Sequence, residues 1–120
     1  MKIMLNIRRC FIIEGSDRVW VELVCRNDGL IARVIGREPL YRSRRLSRTF
    51  DRYIRRLIGS RGVALEEKML RGKPRIAGYK RIEDRLYIIL EIDSTRLYVP
   101  AEKEKLLRQC IKLLHEERID

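Results

Sequence analysis

Histidine is almost missing from this chain: the single residue, His115, falls near the end of a charged stretch. Ser–His, Cys–His and paired-histidine mechanisms therefore have almost nothing to work with. Amides are nearly as scarce, with only Asn6, Asn27 and Gln109. Cysteines are three, Cys10, Cys25 and Cys110, odd in number, far apart and without a CxxC pair. That spacing suggests neither a zinc knuckle nor a disulfide framework, and three buried thiols are expected. Glycine-rich phosphate loops of the Walker and Rossmann kinds do not occur. No run approaches the roughly 20 apolar residues of a spanning helix. The stretch from Met1 to Ile13 starts apolar but carries Asn6, Arg8 and Arg9, where a signal peptide needs an unbroken apolar core. A soluble, cytoplasmic protein without membrane attachment is the expectation.

What the chain has is charge. Its 120 residues, read as a single domain 1–120, carry 28 basic and 17 acidic side chains, a net of +11. Many charges with few heat-labile amides is a hyperthermophile pattern, which points to a thermophilic archaeon or its virus as the source. The excess is not spread evenly. Residues 1–36 hold six basic and four acidic groups, and residues 82–120 hold seven and nine. Residues 37–81 hold fifteen and four, so the whole surplus lies in the middle third. A merely solvated surface intersperses its signs, whereas segregation calls for a polyanionic partner. Arginine outnumbers lysine 21 to 7. The planar guanidinium fork fits phosphate oxygens and stacks on bases, which favours nucleic acid as that partner.

The first third reads as β structure. Ile3 to Ile13 and Arg18 to Arg26 are rich in branched and aromatic residues, with a break at Glu14-Gly15-Ser16-Asp17. Asn27-Asp28-Gly29 is a tight-turn signal, after which Leu30 to Ile35 returns as a third strand. Alternation places Val19, Val21, Leu23 and Cys25 on one face of the second strand, opposite Trp20, Glu22, Val24 and Arg26. Trp20 suits core packing better than base stacking. Gly36 to Arg42, containing Pro39, reads as a connection.

A helix is predicted over 43–58, from Ser43 as N-cap to Gly59 as stop. Leu46, Phe50, Tyr53, Ile54 and Leu57 share one arc. Arg44, Arg45, Arg48, Arg52, Arg55 and Arg56 fill the other, with Asp51 the one acid within the segment. Six arginines on one face repel one another, and phosphates can supply the missing negative charge. Arg61 follows closely. Val63 to Leu70 fits a strand or two helical turns. Gly72-Lys73-Pro74-Arg75 and Gly78-Tyr79-Lys80-Arg81 read as basic loops, in which Tyr79 is placed to stack on a base. Leu86 to Ile92 is the strongest strand, Asp93-Ser94-Thr95 a turn, and Leu97 to Val99 a short extended piece. Pro100 opens a last amphipathic helix, 101–117, with Leu106, Leu107, Cys110, Ile111 and Leu114 as its apolar stripe.

Carboxylate-based metal chemistry is the one catalytic option the composition leaves. Gly72-Lys73-Pro74-Arg75-Ile76-Ala77, then Ile89-Leu90-Glu91-Ile92-Asp93-Ser94-Thr95, then Leu97-Tyr98-Val99-Pro100 and the helix beyond are similar to successive motifs of one family. On these, residues 43–114 resemble the archaeal Holliday junction resolvases of the PD-(D/E)xK nuclease superfamily. The resemblance implies a DNA-binding relative, with Glu91 matching an active-site carboxylate. It departs where it matters: Arg75 stands in place of the metal-binding aspartate and Asp93 in place of the lysine. Such nucleases need two or three carboxylates around Mg²⁺, so the resemblance implies DNA binding without cleavage.

The expected fold is α+β: a mainly antiparallel or mixed sheet with two amphipathic helices, 43–58 and 101–117. The expected function is non-catalytic binding of DNA or RNA by Arg44, Arg45, Arg48, Arg52, Arg55, Arg56, Arg61, Lys73, Arg75, Tyr79, Lys80 and Arg81. No cofactor is expected. The enzymatic alternative is a Mg²⁺-dependent nuclease using Glu91 and Asp93, with Glu83 or Asp84. The structural alternative is a component of a ribonucleoprotein or viral particle, and a homodimer is compatible with either binding reading.

Overall fold

The computed structural model describes residues 4–39 and 66–116. Seven strands form one sheet: β1 (Met4–Glu14), β2 (Asp17–Arg26), β3 (Gly29–Pro39), β4 (Glu66–Leu70), β5 (Arg75–Ile82), β6 (Arg85–Ile92) and β7 (Thr95–Pro100). Their order across the sheet is β4-β3-β2-β1-β7-β6-β5, and every neighbouring pair is antiparallel. A 3-10 turn, Ala101–Lys103, leads into the helix α1 (Glu104–Glu116).

This corrects the expected fold class. Among the described residues the protein is a seven-stranded antiparallel sheet with one helix, not an α+β arrangement with two. The helix expected over 43–58 lies outside the described residues. Two smaller readings also change. β3 runs on through the supposed connection as far as Pro39, and Gly78 to Arg81 belong to β5 rather than to a loop.

Local chemistry explains the hairpins. Gly15 takes the positive φ of the two-residue turn between Glu14 and Asp17. The β5–β6 and β6–β7 turns use Glu83-Asp84 and Asp93-Ser94, both pairs with positive φ, as type I′ geometry requires. Here the right-handed twist of the flanking strands imposes the turn without glycine.

The sheet cannot be flat. Six spacings of about 4.8 Å would set its edges about 29 Å apart. The five peptide steps from Leu70, at the end of β4, to Arg75, at the start of β5, reach at most about 18 Å. The sheet therefore curls, and α1 lies within the curl. Ile7, Cys10, Val21, Leu23, Leu30, Leu70, Ile88, Leu90, Leu97 and Val99 pack with Leu107, Cys110 and Leu114 of α1. Each fully buried large apolar side chain there contributes about 1.5–3 kcal/mol. The predicted alternation of β2 is what aims Val19, Val21, Leu23 and Cys25 at this core.

Cys25 and Cys110 are joined in a disulfide, with Cα atoms 5.8 Å apart and a sequence separation of 85. The bond fastens α1 to β2, and closing so long a loop stabilises the fold by about 4–5 kcal/mol in the chain-entropy account. This corrects the expectation of three free thiols. Only Cys10 is one.

Candidate nucleic-acid interface

The face of the sheet turned away from α1 carries a different kind of packing. Phe11, Tyr87 and Tyr98 are buried there, with Trp20 and Ile89 against them. Phe11 stacks on Tyr98 at 4.9 Å and meets Trp20 and Tyr87 edge-on. Arg18 lies over this group, its guanidinium carbon 4.6 Å from the Phe11 ring centre and 5.4 Å from that of Trp20. Such stacking suits the weakly hydrated, planar guanidinium. Arg18 also donates from both terminal nitrogens to Glu83, at 3.3 Å each, and lies 3.8 Å from Glu38. Trp20 donates its indole N–H to Glu38 at 3.1 Å, so its role is in packing, as its place in the strand suggested.

Around that cluster, cross-strand ion pairs bind up the charge. Glu22 accepts from Arg8 at 3.1 Å and from Arg33 at 3.2 Å, while Arg33 also reaches Glu67 at 3.3 Å. Arg37 donates to Glu14 at 2.8 Å and approaches Glu66 at 3.9 Å. Alternation and antiparallel register set these contacts, because Arg33 faces Glu22 on one side and Glu67 on the other. The sheet's arginines are thus largely neutralised by its own acids.

The predicted site residues fare differently from one another. Arg44, Arg45, Arg48, Arg52, Arg55, Arg56 and Arg61 lie outside the described residues. Lys73 is in the four-residue link between β4 and β5. Arg75, Tyr79, Lys80 and Arg81 are on β5, an edge strand, and its alternation separates them. Tyr79 points to the α1 side, where its hydroxyl donates to Glu104. That hydrogen bond, first among the causes, raises the Tyr79 phenol and lowers the Glu104 carboxyl. Arg75 faces the opposite way and donates to Glu91 at 3.0 Å. Lys80 and Arg81 make no ion pair among the described residues, and they fall on opposite sides of β5. The structure does not gather 73–81 into one basic surface.

The nuclease set does not converge. Glu91 is held between Arg75 and Arg96, at 3.0 and 3.6 Å. The position that the resolvase resemblance reserves for an aspartate is thus filled by a guanidinium paired directly to Glu91. Asp93 sits in the β6–β7 turn, whereas Glu83 and Asp84 form the turn at the other end of β6, eight strand residues and about 26 Å away. Among the described residues no group of three or more His, Cys, Asp or Glu side chains is arranged to hold a metal ion. Burial pushes the Cys10 thiol well above its ordinary range, which removes it as a nucleophile. Also among the described residues, no helix is long and apolar enough to cross a membrane.

Sequence reasoning missed Arg9 and Arg85, which line one open pocket of about 390 Å³ at an end of the sheet. One signal was available. Consecutive charges at Arg8-Arg9 break the alternation of an otherwise apolar strand, the mark of a β-bulge, and the register does shift between Ile7 and Cys10.

No protein-family model matches the chain, and neither a curated protein nor a solved structure shows a significant similarity to it.

Proposed function

We propose that this protein binds nucleic acid without cleaving it, contacting phosphates through the arginine-rich stretch between β3 and β4. One observation carries the reading. The 87 described residues contain eighteen basic and fourteen acidic side chains, and the arginines of the sheet are largely committed to ion pairs. Residues 40–65 contain eight arginines, no lysine and one acid, Asp51. The charge that needs an external counterion is concentrated in those 26 residues. Phosphodiester backbones supply it at close spacing, and arginine forks bind phosphate oxygens in pairs. The Arg75–Glu91 pair, where a nuclease of the resembled family needs two acids, favours binding over catalysis.

Contacts of this kind fix position on the backbone and carry little sequence information. Affinity should therefore depend strongly on salt and weakly on sequence. If about five phosphates on duplex DNA are neutralised, log affinity against log salt should fall with a slope of roughly −4 to −5. Titrations of single- and double-stranded DNA and RNA across a salt series check this. A slope near zero, or no binding to any of the four at low salt, removes the reading.

A further inference from the structure

The pocket between Arg9 and Arg85 is built differently from the rest of the sheet surface. Arg8, Arg18, Arg26, Arg33, Arg37, Arg75 and Arg96 each have a carboxylate between 2.8 and 3.7 Å away. Arg9 and Arg85 make no ion pair among the described residues, yet they come from different strands, β1 and β6, to line the same cavity of about 390 Å³. Of the two β5 cations without an ion pair among the described residues, Arg81 is in register with Leu86, whereas Lys80 lies on the opposite face with Tyr87.

The backbone at Arg9 adds a second, independent observation. Its φ is 67°, in the left-handed region, where glycine or asparagine serves if only a bend is required. The bulge is held from both sides, because Ile7 and Cys10 are fully buried and stay in register with Leu23 and Val21 of β2. An arginine in this place spends backbone strain on aiming a cation that no acid of the described sheet receives. Strain of this kind concentrates where a side chain has a task.

The remaining walls define what the cations hold. Tyr87 and Pro100 are buried, so Leu86 and Ala101 supply the limited apolar surface against which a flat ring can lie. Leu86 is 42 % exposed, large for a leucine within a strand. Glu102 is the one acid in the lining, and it accepts hydrogen bonds from a ring amino group or a sugar hydroxyl. Two cations against one carboxylate suit a single phosphate better than a di- or triphosphate. The volume falls within the roughly 300–1,000 Å³ usual for small-ligand sites.

We propose that this pocket binds a nucleoside monophosphate unit, its phosphate between Arg9 and Arg85 and its base against the Leu86–Ala101 wall. The site lies on the folded sheet and does not rest on the reading of residues 40–65. The unit can be a free nucleotide or the 5′-phosphorylated end of a strand, since both present the same groups.

The test titrates the full chain with AMP, adenosine and inorganic phosphate, following backbone amide NMR shifts. AMP should give saturable shifts at Leu86, Tyr87 and Ala101, with adenosine and phosphate each binding about tenfold or more weaker. Arg9→Asn, which suits the left-handed backbone, and Arg85→Gln should each weaken AMP by a similar factor of about ten. The triple variant Arg48→Gln, Arg52→Gln, Arg55→Gln should leave AMP binding unchanged, which separates this site from the polymer-binding proposal. Competition by a 5′-phosphorylated oligonucleotide identifies a strand end as the source, and absence of competition identifies a free nucleotide. No saturable shift with AMP, or AMP binding unaffected by both Arg9→Asn and Arg85→Gln, overturns the proposal.

Discussion

The ion-paired arginines of β1 to β3 and the arginines of residues 40–65 are neighbours in the chain but differ in the acids their own segments supply. Arg8, Arg18, Arg33 and Arg37 each meet a carboxylate of another strand, and Arg26 meets Asp28 in the β2–β3 turn. From Arg42 to Arg61, eight arginines share Asp51. Net charge alone would count both sets equally. The pairing shows that the first set is used up in holding the sheet's outer face together, so its contribution to an external field is small. The second set has no comparable supply of acid in its own sequence. Strand register thus commits the first set to the fold, and the proposed function assigns the second to a ligand.

Removing a paired arginine should cost stability and spare binding. Arg18→Met tests this most severely, because Arg18 is 4 % exposed and its loss leaves the equally buried Glu38 without this cation. Breaking a buried pair from one side costs about 3–5 kcal/mol, so thermal unfolding should move sharply downward. Affinity for nucleic acid, measured where the variant is folded, should stay at the parent value. A large loss of affinity in a folded Arg18→Met protein would break the comparison.

A smaller effect is expected at Arg33, which is partly exposed and shared between Glu22 and Glu67. Arg33→Gln should lower stability by about 1 kcal/mol or less, seen as a few degrees in Tm. Binding should again be unchanged. The gradation from Arg18 to Arg33 follows burial, and a reversed order would show that burial does not set the value of these pairs.

Much of the sheet was legible because half-buried strands alternate. Val19 to Cys25 advertised its inner face, and Asp93-Ser94 announced a turn. β5 was hidden for a physical reason: edge strands tolerate charge and glycine bulges, so Gly78 and Lys80 looked like a loop. The Glu83-Asp84 turn was hidden too, since neither residue is glycine and the positive φ values come from the strands they join. The Cys25–Cys110 bond had no signature, because it depends on where α1 returns across the sheet. Of the candidate site, the arginine segregation was plain in the sequence, while the convergence of Arg9 and Arg85 required the register of four strands.

The central claim is that the arginines of residues 40–65 serve a ligand and the ion-paired arginines of the sheet serve the fold. The most direct test is one variant, Arg48→Gln with Arg52→Gln and Arg55→Gln, measured twice. Glutamine keeps a similar helix propensity without the charge. The account predicts an unchanged or slightly raised Tm, since like charges are removed. It also predicts a steep fall in nucleic-acid affinity, with a salt slope shallower by nearly one for each phosphate no longer neutralised. A lowered Tm with unchanged affinity would contradict it, placing these arginines with the structural set.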